Sequence, residues 1–322
     1  MTIENSLLLE FLEKMILTRQ METRHREILN HYNREGGTPI AFSHFSRGQE
    51  AVGIGATAAL RTEDVMIGSH RGFVEYIGKG MQPLDIFAEY LGKKHILDGK
   101  AGIQISDKGH NIPGMTACIG GGFAIAAGIA YSIKLRQENR IAMLSYGDGG
   151  YNQSDAHPAM IIASSLKLPL IFHVPYNGWC EYTRSEEFNP TKSIAARGAA
   201  YNIPADSVDG QRVDIVYEAA LKAVDYVRSG QGPYIMEYRT FRMGPHWSGD
   251  TGEYMDKQEN LKWFQRDPIK LCKELLIEKG IITEKDFVKL NSAINQRVED
   301  ILNQALSLPY PEKKDMFTNV FA

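Results

Sequence analysis

The sequence predicts an α/β chain, with a parallel central sheet and helices on both faces. Three observations carry that expectation. Residues 141–179 (IAMLSYGDGGYNQSDAHPAMIIASSLKLPLIFHVPYNGW) read as strand, turn, helix, strand and turn, the crossover that parallel strands require. Val65–Gly68 and Pro233–Thr240 are two further short runs with the length of buried strands. The segments between them have helical spacing or a dominance of small residues, which suits close packing.

Bulk properties agree. A chain of 322 residues can bury one large core or two small ones. Its net charge of −3 offers nothing to nucleic acid or an anionic membrane. No apolar run approaches the ~20 residues of a membrane span. The start, MTIENSLLLEFLEKMILTRQ, mixes Glu and Lys among apolar residues at helical spacing, as an amphipathic helix does and a signal peptide does not. Cys118, Cys180 and Cys272 lack metal spacing and fit a reducing compartment, so a cytoplasmic location is expected. Repeats, low-complexity tracts and linkers are missing. One domain over 1–322 is expected, with an N-terminal helix over about 6–32 and a C-terminal helical extension over about 260–322.

The elements follow in order. Residues 6–32 form a helix with Leu8, Phe11, Leu12, Met15 and Ile16 on one face, broken by Gly36-Gly37-Thr38-Pro39. A second helix, rich in small residues, runs from about Gly48 to Leu60. The strand Val65–Gly68 delivers Ser69-His70-Arg71-Gly72 to a turn. Gln82–Leu91 is a helix, and 92–114 a loop. Thr116–Tyr131 is a Gly/Ala run of helical length that can lie very close to a neighbour. Ile141–Tyr146 is the first strand of the crossover. Ser154 or Asp155 caps the next helix, which has Pro158 in its first turn and carries Met160–Leu166. Leu168–Val174 is the second strand, closed by Pro175 and Gly178. A polar loop over 179–200, a strand and turn ending at Asp209-Gly210, a helix over 214–230 and the strand 233–240 come next. A polar, Gly-rich loop to about Gln258 is expected to be mobile and to order with a ligand. Two or three helices fill 260–304.

Asp148 and Asn177 fall just past the carboxyl ends of two parallel strands, the edge where open α/β sheets bind ligands. A carboxylate, an amide oxygen and a backbone carbonyl in these loops suit Mg²⁺, an ion usually shared with substrate phosphates. Gly149 and Gly150 let main-chain N–H groups approach a phosphate beside a helix N-terminus. A magnesium–diphosphate site is one reading of these residues, and a plain tight turn is the other.

The spacing of Gly147-Asp148-Gly149 and Asn177, with Lys167-Leu168-Pro169 before the second strand, resembles the thiamine-diphosphate signature GDG…N. More closely, the chain resembles the alpha subunit of the thiamine-dependent decarboxylase component of 2-oxo acid (pyruvate, branched-chain) and acetoin dehydrogenase complexes. That resemblance implies a thiamine-diphosphate-binding fold holding the diphosphate half of the site. It implies thiamine diphosphate and Mg²⁺ as cofactors, with the metal on Asp148, Asn177 and the backbone of Trp179. His44 with Gly48-Gln49-Glu50-Ala51 is similar to the family's H-L-x-x-G-Q-E-A segment, which implies an active-site histidine. His70 and Arg71 stand where the family sets Tyr-Arg against the diphosphate, a role that suits the planar fork of arginine. Backbone groups at Ala117 and Ile119 would hold the aminopyrimidine. Phe241–Asp250 retains His246 and Asp250 of a family loop, which implies that His246 lies by the diphosphate and the reacting centre.

The departures are Tyr176 for the first of two asparagines, His70 for tyrosine, and residues 101–105 (AGIQI) for a G-G-S-M-H element. Trp247 replaces a position where multicellular members carry phosphorylatable serines, so that regulation is not expected. The family keeps the cofactor-activating glutamate on a separate beta chain, which implies a two-alpha, two-beta heterotetramer.

Three functions are open on this reading. The first is the alpha subunit of an oxidoreductase that cleaves or decarboxylates a 2-oxo acid or acyloin. It would use His44 and His246 as acid–base groups and pass the acyl unit onward, with a lipoyl-bearing acyltransferase as a candidate acceptor. The second is a carboligase or transketolase-like half-enzyme that passes the unit to an aldehyde or ketone. The third is a non-catalytic structural or regulatory subunit.

Overall fold

A computed structural model of the chain describes residues 3–35, 42–115 and 118–318. The chain opens with α1 (Asn5–Glu35), α2 (Glu50–Ala58), β1 (Val65–Ile67), α3 (Phe73–Lys79) and α4 (Pro83–Tyr90). α5 (Gly122–Leu135) precedes the crossover β2 (Ala142–Ser145), α6 (Ala156–Ser165) and β3 (Leu170–Tyr176). A small ribbon follows, β4 (Trp179–Cys180) with β5 (Thr183–Arg184), then the one-turn α7 (Ser185–Phe188). β6 (Ala205–Asp209), α8 (Val213–Arg228) and β7 (Tyr234–Arg239) complete the sheet. α9 (Lys257–Gln265), α10 (Pro268–Glu278) and α11 (Glu284–Ser307) follow it.

Among the described residues the main sheet has five strands in the order β1-β2-β3-β7-β6, every pairing parallel. Its central strands are covered on both faces, which is why they read as continuous apolar runs rather than alternating ones. On one face Phe123 and Ala126 of α5 and Met160 of α6 pack on Leu144 and Phe172. On the other, α2 and α8 pack on Met143, Ile171 and Met236, with α1, α10 and α11 outside them. Small residues let α2 fit there: a Cβ on Gly53 would stand 2.5 Å from both methyls of Val74. Arg19 of α1 ties these layers, pairing with Glu50 at 2.7 Å and with Asp267 at the head of α10 at 2.5 Å.

Several expectations need correction. Residues 73–79, assigned no element from the sequence, are the helix α3. The segment 179–200 is not a plain loop, because it holds β4, β5 and α7. The Gly/Ala helix begins at Gly122 rather than Thr116, after a turn at 119–121, and residues 116 and 117 lie outside the described residues. Asp155 occupies the N-cap of α6 but makes no capping hydrogen bond, since its own backbone is already helical (φ −71, ψ −17). The stretch between β7 and α9 has no regular structure, yet Phe241, Met243 and Met255 pin it against Trp179. Residues 319–322, with Phe321, also lie outside the described residues. No helix among the described residues is long and apolar enough to cross a membrane.

Candidate active site

After β3 the chain leaves for the edge strand β6 and returns as β7 beside β3. The loops after β2, β3 and β7 therefore part, and a crevice opens at the carboxyl ends of the strands. A cavity of about 370 Å³ lies there. Its walls bring together His44, His70, Arg71, Ile119, Asp148, Gly149, Gly150, Asn177, Trp179 and His246. Of the residues singled out in the sequence, only Ala117 is missing from that group, because it lies outside the described residues.

One end of the cavity carries an unsatisfied negative group. Asp148 is fully buried; its Oδ2 accepts from Gly178 N at 3.1 Å and from Ser185 Oγ, while Oδ1 has no partner. Burial pushes this carboxyl up to about 6 against those hydrogen bonds. Leaving such an oxygen bare costs about 1–3 kcal/mol or more, unless a cation takes it. Asn177 is held beside it: Nδ2 donates to Gln49 Oε1 at 3.1 Å, and Oδ1 accepts from Trp179 N at 3.0 Å. Gly149 lets the loop and the ribbon close on each other, since a Cβ there would meet Cys180 Sγ at 2.4 Å.

Next to it lie two unsatisfied cations. Arg71 donates to Phe45 O at 2.7 Å and to His246 Nδ1 at 3.1 Å. Arg242 donates to Glu181 O at 2.8 Å, to Tyr254 Oη at 2.7 Å and to His246 Nδ1 at 3.3 Å. Both are buried, and neither has a carboxylate partner among the described residues. Burial, with Arg242 alongside, lowers Arg71 to about 9. Buried guanidinium groups without counter-charge favour an anion between them. In the cavity wall the bare Asp148 oxygen suits a cation and the Arg71 fork an anion, with Arg242 behind His246.

Three imidazoles form the mouth. His44 and His70 have ring centroids 4.5 Å apart, and His44 and His246 4.6 Å. Partners fix two tautomers. His44 Nδ1 faces the carbonyl of His246 at 2.9 Å, so it carries the proton and Nε2 is bare. His246 Nδ1 receives N–H from both arginines, so its Nε2 carries the proton. Burial, then the arginine charges, lowers His44 to about 4 and His246 to about 3, and lowers His70 strongly. All three are neutral near pH 7. The nitrogens lie within 4.8 Å of one another, but the N–H of His246 and the two guanidinium groups suit a carbonyl or an anion rather than a metal.

Sequence reasoning missed several residues here. Arg242, three residues past the end of β7 at Arg239, stands in the stretch where the resembled family has an arginine. Gln49 and Ser185, which orient Asn177 and Asp148, had none beyond proximity to a motif. At the inner end of the cavity Glu75 accepts from Ser69 N at 2.9 Å and from Ser145 Oγ, and burial raises it to about 7. His173 lies there too, buried, with Nδ1 unpartnered and its ring 4.9 Å from that of Tyr238.

Known proteins resemble this chain over nearly its whole length. The model of the dehydrogenase E1 component family matches residues 13–314. The alpha subunit of acetoin:2,6-dichlorophenolindophenol oxidoreductase from Bacillus subtilis is 34% identical over 316 residues, 96% of this chain and 92% of that protein. The pyruvate dehydrogenase E1 component alpha subunit of Zymomonas mobilis is 32% identical over 317 residues, 97% and 88% of the two chains. A chloroplastic pyruvate dehydrogenase E1 component alpha subunit of Arabidopsis thaliana is 32% identical over 322 residues, 98% and 74% of the two. With the strand order, the cavity and its charged groups in place, the chain belongs to the dehydrogenase E1 component family.

Proposed function

We propose that this chain is the alpha subunit of a thiamine-diphosphate-dependent enzyme that cleaves or decarboxylates an acyloin or a 2-oxo acid and transfers the acyl unit to an acceptor. The observation that carries this reading is the pairing, in the wall of one cavity, of the bare, buried Asp148 Oδ1 with the buried, carboxylate-free Arg71, backed by Arg242 behind His246. Asp148, Asn177 and the backbone of Trp179 would hold Mg²⁺. Arg71, Arg242 and the main chain at Gly149 and Gly150 would hold the diphosphate, flanked by His70 and His246, with the backbone at Ala117 and Ile119 toward the aminopyrimidine. Bound there, thiamine diphosphate supplies a nucleophilic carbon and an electron sink for the fragment that leaves.

The chain's own residues supply proton handling. His246 Nε2–H donates to a carbonyl oxygen of the substrate, and the bare Nε2 of His44 accepts a proton from its hydroxyl. His70, packed against the His44 ring, narrows the mouth. Burial keeps the rings neutral, and their hydrogen bonds fix the proton of His44 on Nδ1 and that of His246 on Nε2.

A separate beta chain would complete the site. Ile119, at the lip of the cavity, is 38% exposed. Ile125, Tyr131 and Leu135 of α5 and Ile161, Ile162 and Leu166 of α6 continue this apolar exposure outward. A patch of this kind adjoining an open site supports coverage by a partner. The three cysteines at 118, 180 and 272, without metal spacing, support a reducing, cytoplasmic setting.

The test is turnover by the chain co-expressed with its beta chain, using acetoin or pyruvate with 2,6-dichlorophenolindophenol as electron acceptor. Dye reduction that requires thiamine diphosphate and Mg²⁺ supports this function. Acyl transfer only to added aldehydes would move it to the carboligase class. Inertness toward both, with no cofactor bound, would leave a structural subunit.

A further inference from the structure

His44 is flanked by two serines that tie its segment to α1. Ser43 Oγ lies 2.8 Å from His25 Nδ1. Ser46 donates its backbone N–H at 2.8 Å and its hydroxyl at 2.6 Å to one oxygen, Oε1 of Glu22. Glu22 and His25 are three positions apart and share one face of α1. Both are buried, and His25 sits in an aromatic box with its centroid 5.1 Å from Tyr90 and 5.9 Å from Phe73. On the opposite side, Ser248 N donates to Ser43 O at 2.8 Å, and Ser43 N donates to Ser248 Oγ at 3.2 Å. The four residues Ser43–Ser46 are thus clamped between α1 and the loop that carries His246.

A segment that merely connected α1 to α2 would have no need of a buried carboxyl and a buried imidazole. Each is costly, because Glu22 Oε2 and His25 Nε2 have no partner. Their remaining polar atoms all point at the two residues that bracket His44-Phe45. Phe45 in turn offers its carbonyl to Arg71.

We propose that Glu22 and His25 are positioning residues which act through Ser46 and Ser43 to fix the His44 ring with Nε2 toward the cavity. This rests on the acid–base reading of His44 given above. The direct probe is the Ser43→Ala/Ser46→Ala variant in the co-expressed complex, because it removes only two hydroxyls. With acetoin and the dye, kcat should fall about tenfold while KM and the affinity for thiamine diphosphate stay within about twofold. His25→Asn and Glu22→Gln keep the facing polar atom and should stay near wild type; His25→Leu and Glu22→Leu should fall like the double-serine variant. In a His44→Ala background the serine changes should cost nothing further. An equal loss in that background, or full turnover in the double-serine variant, would overturn the proposal.

A readout free of activity separates this from the functional reading. Diethyl pyrocarbonate modification of His44, followed by mass spectrometry, should change several-fold in rate when the serines are removed. An unchanged rate would refute the clamp whatever His44 does. If His44→Ala kept full turnover, its acid–base role would fall, and the modification rate would still decide the clamp.

Discussion

Asp148, Asn177, Arg71 and His246 line one cavity; Asp148 and Asn177 were legible from their places past two strand ends, whereas the roles of Arg71 and His246 were reached through the family resemblance. A carboxylate between glycines and an arginine between a histidine and a glycine are hard to explain as packing alone. Arg242 lies in the same stretch as His246, and its burial against Glu181 O and Tyr254 sets it apart from the partly exposed Arg239. Three outcomes follow for single residues. Asp148→Ala should abolish Mg²⁺-dependent cofactor binding by calorimetry, and binding of unchanged affinity would remove the metal assignment. Arg242→Lys, which keeps the charge but loses the fork, should weaken cofactor affinity by roughly 10- to 100-fold. His44→Ala should slow turnover by about 10²-fold with cofactor affinity nearly intact.

The crossover β2–α6–β3 and the flanking strands were readable because buried parallel strands are unbroken apolar runs. Two or three helices were expected over 260–304; the structure starts α10 where Asp267 caps Ile269 and Lys270, and α11 where Thr283 forms a capping box with Asp286. α3 was not. It is short, bracketed by Gly72 and Gly80, and its Glu75 is buried, which blurs the helical period. Close packing of α2 on α3 makes Gly53→Ala destabilising by about 1–3 kcal/mol, since the β-branched Val74 cannot swing away; thermal unfolding measures it.

His173 gives β3 a pH dependence. Burial lowers it to about 3, so between roughly pH 6.5 and 3 the unfolded chain binds a proton that the folded chain refuses, and stability falls as pH falls. His173→Val should therefore raise the melting temperature more at pH 5 than at pH 7.5. An equal change at both pH values would contradict the assignment of a neutral, buried ring.

For the whole molecule, sequence alone reached a parallel sheet covered on both faces and the strand edge at which the cavity opens. It could not reach the inner end of the cavity, where Glu75, Ser145 and His173 converge from three elements, because each is a single polar residue in an apolar setting. Nor could it show the exposed apolar face of α5 and α6, since a buried and a partner-covered apolar residue look the same in a sequence. That face makes isolation costly for the molecule. The most direct measurement is calorimetric titration of thiamine diphosphate, with and without Mg²⁺, into this chain alone and into the complex with its beta chain. Tight binding that needs both Mg²⁺ and the second chain is the expected result. Absence of binding in the complex, or binding indifferent to Mg²⁺, would contradict a half-site built on Asp148, Asn177 and two buried arginines.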